Sequence, residues 1–160
     1  MLLWFWGTAF LTVWVVFHDA SIDYRVLLAG AVLPDLVDAP FGGAGVAHSV
    51  TASVAVLIGV MLATIGHRAR RRRWLALPIG MFLHLVFDGA WTDASVFWWP
   101  FSGTRPGDQP LPSLDRGAVS VVMELVGLVI LVWAWRRFGF ADPRRRRLFW
   151  RTGHLDPALV

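Results

Sequence analysis

The chain has 160 residues, of which 56% are hydrophobic, with a mean hydropathy of +0.56 and a formal charge of +4. That is more apolar surface than a water-soluble domain of this size can bury, which excludes an ordinary soluble fold and makes lipid the expected solvent. All fifteen basic residues are Arg and there is no Cys, so disulfides and thiolate metal sites are excluded. The arginines stand in blocks beside apolar runs, which reads as a topology signal and as a contact for anionic lipid head groups, with no nucleic-acid partner.

In chain order, five apolar stretches predict helices: 2–17, 24–37, 46–65, 74–89 and 118–135. The expected fold class is therefore all-α, a polytopic membrane helical bundle of about five short transmembrane helices. Residues 1–138 would form one bundle domain with an extracytoplasmic loop at 90–117, and residues 139–160 an Arg-rich cytoplasmic tail. Several stretches are shorter than the ~20 residues that cross a full hydrocarbon core, so tilt or local thinning is expected. The first stretch lacks a basic n-region and reads as a retained helix. Because basic residues near helix ends stay in the cytoplasm, the N-terminus is expected outside and the C-terminus inside. That leaves only Arg105 and Arg116 on the outer side. A bacterial cytoplasmic (inner) membrane is the expected location.

This orientation also sorts the acids and histidines. Asp35 and Asp38 end the second stretch and His48 opens the third after the Gly-rich turn 41–45, while His84 and Asp88 share one face of the fourth, four residues apart. Glu124 lies about two turns into the fifth. Ionisable groups inside a span cost ~2.5–3.5 kcal/mol each on insertion scales and persist where they pair, bind ions or line water. Carboxylates and imidazoles without thiolates form a ligand set for a divalent metal, zinc first and manganese or iron as alternatives. Plainer readings stand beside this one. Asp35 and Asp38 would end a helix punctuated by Pro34, Ser49 would cap the next helix, and His84 with Asp88 would be a hydrogen-bonded packing pair. Glu124 would be a ligand, a general base or a partner of Arg116.

The motifs Leu33-Pro34-Asp35-Leu36-Val37-Asp38, Ala47-His48-Ser49, His84-Leu85-Val86-Phe87-Asp88 and Trp98-Trp99-Pro100-Phe101-Ser102 resemble, in order and spacing, the predicted membrane-bound metal-dependent hydrolases. These form an inner-membrane family distantly similar to zinc-dependent phospholipase C. The resemblance implies that Asp35, Asp38, His48, His84 and Asp88 are metal ligands. The chain departs from the family pattern in having Asp35-x-x-Asp38 for Asp-x-Asp, Gly43 and Ala44 for a His-Arg pair, Gly7-Thr8 for an early Thr-His, and Thr92 one place late. Two ligand positions thus go unmatched, which implies a single metal or a non-catalytic relative.

The function expected first is a membrane-embedded, metal-dependent hydrolase acting on an ester or phosphoester of a lipid or lipid-linked envelope precursor. Glu124 or Asp93 would accept the proton, Arg105 or Arg116 would hold the phosphate, and Ser49, Trp98 and Trp99 would complete the substrate-binding set. The alternative is a non-enzymatic transporter or assembly component that uses the same cluster as an ion or proton relay. A third reading is a scaffold that recruits a cytoplasmic partner through its Arg-rich tail.

Overall fold

Sixteen residues, apolar but for Thr8 and Thr12 and without Pro or a charge, form α1, Leu2–Phe17, in the computed structural model, which describes residues 1–41, 43–102 and 117–159. The helix stops at His18, in the left-handed region at φ 46°, whose N–H closes on the Trp14 carbonyl at 2.9 Å. Asp23 then caps α2, Tyr24–Gly30, by accepting from the Arg25 and Val26 amides. The second apolar stretch is not one helix, however. It breaks at Ala31 and Val32, just ahead of α3, Leu33–Asp38, whose first turn carries Pro34. Proline has no amide to give to the preceding turn, so a continuous helix loses a bond here.

A 3₁₀ turn, Val46–His48, precedes α4, Val50–Ala63. The arginine block expected as a loop is helical too: α5, Arg68–Trp74, runs through Leu75 into α6, Ala76–Phe87. The short α7, Ala94–Phe97, follows, then α8, Ala118–Arg137, and α9, Pro143–Thr152, capped by Asp142. The described residues are all-helical, with no strand among them. One described helix, α8, is long and apolar enough to cross a membrane; α1 and α4 are apolar but shorter. Only 11% of the apolar window of α8 is buried, and Val119, Val122, Leu125 and Val129 are all exposed.

Two pairs of close helix contacts organise the bundle. Helix α1 packs along α8, and α2 along α6. Both contacts run through glycines. A Cβ on Gly7 would lie 2.8 Å from the Gly127 carbonyl oxygen, and one on Gly127 would collide with the Leu3 backbone. Across the other pair, a Cβ on Gly30 would meet the Leu77 carbonyl and one on Gly80 the Leu27 carbonyl. Backbones approach this closely only where small residues face each other, a device of helices that associate without a hydrophobic drive. Glu124 serves the first pair, since its carboxylate accepts from the Leu3 amide at 2.9 Å near the positive end of α1.

The two ends of the molecule differ in chemistry. At one end Arg25 and Arg73 pair with the buried Asp23, Arg72 with Asp19, and Arg145 with Asp156. The segment expected as a separate tail joins this end. Arg25 donates to the Trp150 carbonyl, Tyr24 N–H to the Gly153 carbonyl and Leu155 N–H to the Ala20 carbonyl. Leu155 is buried in the main apolar core. The other end, roughly 20 Å away along α1, holds α3, the turn Val46–His48 and the end of α6.

The glycine contacts generate a prediction. Gly127→Leu should destabilise the protein by about 1–3 kcal/mol through overpacking and lower its unfolding temperature in detergent. Gly59→Leu should leave that temperature unchanged, because a Cβ on Gly59 meets nothing within 4 Å.

Candidate metal centre

The site is built around a carboxylate. Asp38, buried at the end of α3, accepts from the backbone amides of Gly45 at 2.9 Å, Ala47 at 3.3 Å and His48 at 3.1 Å. Its Oδ2 also accepts from His48 Nδ1 at 2.7 Å. A buried charge is tolerated only when its lone pairs are taken, and here the turn after α3 wraps its donors around the carboxylate. Gly45 has to be small, as a Cβ there would lie 2.8 Å from Asp38 Oδ1. Ser49 then starts α4, its Oγ accepting from the Ala52 amide at 3.1 Å and donating to the Val46 carbonyl at 2.8 Å. Those two bonds carry His48 inward at the head of the helix.

His84 comes from α6 and is held in the same manner. Its Nδ1 lies 2.8 Å from the Ala31 carbonyl, at the break between α2 and α3. Phe5 of α1 stacks on the ring with centroids 4.0 Å apart. A carbonyl only accepts, and the Asp38 carboxylate is already an acceptor from three amides, so both imidazoles carry hydrogen on Nδ1. The two Nε2 atoms are left facing each other across 3.4 Å. Asp35 Oδ1 closes the triangle, 3.4 Å from His48 Nε2 and 3.6 Å from His84 Nε2. Three potential ligand atoms converge, each imidazole having its other nitrogen already engaged.

This arrangement could hold a metal ion, through Asp35, His48 and His84. A tetrahedral zinc with bonds of about 2.0–2.1 Å separates its ligands by about 3.3–3.4 Å, close to the three spacings here. Outer partners on the second ring nitrogen, here Asp38 and the Ala31 carbonyl, are a regular accompaniment of metal-binding histidines. Both imidazole side chains are fully buried, whereas that of Asp35 is 23% exposed, so the surface is reached on the Asp35 side.

The centre is narrower than the set expected from the sequence. Asp38 spends its oxygens on His48 and the turn, so in this geometry it positions His48 and adds no atom to the group of three. Asp88 is buried at the end of α6, one turn past His84, but contributes no oxygen to the group of three. Glu124 is engaged with the start of α1. Asp93 caps α7 by accepting from the Ser95 amide and hydroxyl, and Ser49 caps α4. Neither acid expected as proton acceptor belongs to the group of three. Helix α7 packs on the turn Val46–His48, and its Val96 clusters with Ala44 just ahead of that turn, which brings the exposed Trp98 and half-buried Trp99 to this end of the molecule. Arg105 and Arg116 lie outside the described residues.

Sequence reasoning missed Phe5 and the Ala31 carbonyl. Nothing in a run of apolar residues marks Phe5. Pro34 was the one available signal for Ala31, because a proline implies freed carbonyls in the turn before it.

No family model, curated protein or solved structure matches this chain.

Replacing the positioning acid tests the construction. Asp38→Asn turns one acceptor oxygen into a donor facing an N–H, so it should lower the unfolding temperature, and in the protein that remains folded it should weaken divalent-metal affinity by about 10–100-fold, the range seen when an outer partner of a ligating histidine is lost. Titration of metal-stripped protein in detergent, compared with wild type, measures it.

Proposed function

We propose that this chain is a polytopic membrane protein with one divalent-metal site, Asp35–His48–His84, on the extracytoplasmic side, and that the site hydrolyses an ester or phosphoester of a membrane lipid or lipid-linked precursor. The convergence of two imidazole Nε2 atoms and a carboxylate oxygen within 3.4–3.6 Å carries the reading. Zinc fits the donor set best, and a bound zinc ion would supply Lewis acidity and an activated water. The protein's own contribution is orientation. Asp38 and the Ala31 carbonyl set the tautomers, and Phe5 fixes one ring.

Membrane residence is supported by the distribution of side chains. Valines, leucines and isoleucines are exposed along α4 and α8, including Ile58, Leu62, Val121 and Leu128, while Asp38, His48, His84 and Asp88 are buried. A water-soluble protein rarely exposes apolar surface on this scale. The 20 residues of α8 span about 30 Å, the thickness of a hydrocarbon core. Orientation follows from the arginines, which gather at the end opposite the site.

A lipid substrate is supported by what surrounds the triangle. Leu36, Val37, Phe41 and Val46 are exposed on the segments that carry Asp35 and His48. A groove of about 380 Å³ between α1, α4 and α6 exposes no polar atom. It is lined by Leu83, next to His84, and by Ser53, five residues into the chain from His48. An acyl chain entering from the bilayer would find apolar walls up to the level of the site.

The closeness of the two Nε2 atoms also favours a second reading, in which the same three groups share a proton and relay it. Elemental analysis of detergent-purified protein separates the two. Wild type should carry about one zinc, manganese or iron per chain and release a product from phospholipid vesicles, and His84→Ala should lose both. Metal-free wild type that conducts protons in liposomes would sink the hydrolase and leave the relay.

A further inference from the structure

We infer that the arginine end of the bundle carries a discrete site for one anionic phospholipid, its acyl chain lying between α1, α2, α8 and α9 and its phosphate meeting Arg146. The inference rests on the membrane reading above but not on the metal centre. A groove of about 250 Å³ opens there, walled by Trp6 and Phe10 of α1, Leu28 of α2, Leu131 of α8 and Phe149 of α9. Arg146 is the one charged residue on its lining.

The sequence of α9 explains the placement. Arg146, Phe149 and Trp150 stand at i, i+3 and i+4 and so share a helix face, whereas Arg144, Arg147 and Arg151 fall on another. That face turns its aromatic rings to the groove and holds a guanidinium at the mouth. Trp150 is 67% exposed beside it, as an indole at a membrane–water interface would be. The helix is also pinned, because Arg25 holds the Trp150 carbonyl and the Gly153 and Leu155 backbone is bonded to residues 24 and 20. The wall of the groove therefore exists before a lipid arrives.

Charge decides the head group. The described acids of this end are occupied: Asp19 by Arg72, Asp23 by Arg25 and Arg73, Asp156 by Arg145, and Asp142 by the Arg144 amide it caps. Arg146 is exposed and has no carboxylate partner among the described residues. A guanidinium fork matches phosphate oxygens, and near a membrane surface each such cation attracts anionic lipid. An acidic peptide would satisfy the charge but not the slot, whose walls reach from the interface toward the middle of the apolar helices. The occupant is thus an anionic glycerophospholipid and not a protein.

The test uses full-length protein in nanodiscs of phosphatidylglycerol and phosphatidylcholine, with lipid retained after detergent extraction counted by native mass spectrometry. Wild type should keep one phosphatidylglycerol per chain in preference to phosphatidylcholine. Arg146→Gln should weaken retention about fivefold, Leu131→Trp should block it by filling the groove, and Arg144→Gln should behave as wild type. Equal losses in Arg144→Gln and Arg146→Gln would mean diffuse attraction and overturn the site, as would equal retention of the two lipids. Metal measured on the same preparations reports on the opposite end alone, so a metal-free protein would sink the hydrolase without touching this result.

Discussion

A carboxylate removed from water has to be given its hydrogen bonds by the protein, and Asp38 is where that requirement organises this molecule. Three backbone amides and an imidazole converge on its oxygens. Meeting that demand folds residues 43–48 into a tight turn, aims His48 inward and delivers the chain to Ser49, which begins α4. Leaving a buried charge uncompensated costs several kcal/mol, so the turn and the charge stabilise one another. The tautomer of His48 follows from the same contact.

The second half of the centre depends on a break. Had residues 24–37 formed one helix, the Ala31 carbonyl would have been used within it. The interruption before Pro34 turns that carbonyl to His84 Nδ1 and leaves Nε2 facing His48. The glycine contact between Gly30 and the α6 backbone brings the two segments close enough for the bond to form. Backbone proximity, a broken helix and a ring tautomer are thus steps of one chain of cause.

The ends of the bundle answer to different physics. At the end that carries the candidate site, polar groups are few, and Asp38, His48 and His84 are buried and held by named partners. At the other end, charges are many and mostly exposed, and those of α9 exceed the carboxylates available to pair with them. Single surface ion pairs contribute little to stability, so the arginine end is better understood through what it contacts than through what it stabilises.

Much of the fold was legible in the sequence because length, apolarity and charge blocks are local properties. The extents of α1 and α8, the Ser49 cap and the separation of Asp35, Asp38, His48, His84 and Asp88 from the arginine blocks could all be read directly. The broken second stretch was signalled by Pro34 but not deduced, and the helical character of the 68–74 block went unread because a charge run carries no apolar periodicity. At the site, residue types and spacing brought forward Asp35, His48 and His84 but could not separate them from Asp38, Asp88 and Glu124. Asp35 and Asp38 lie three residues apart on one short helix, and only the packing of the 43–48 turn decides which carboxylate faces the imidazoles and which holds the turn. Glu124 meets an amide 121 residues away. Such pairings arise from how helices cross, and helix crossing is set by contacts between distant segments that no local pattern records.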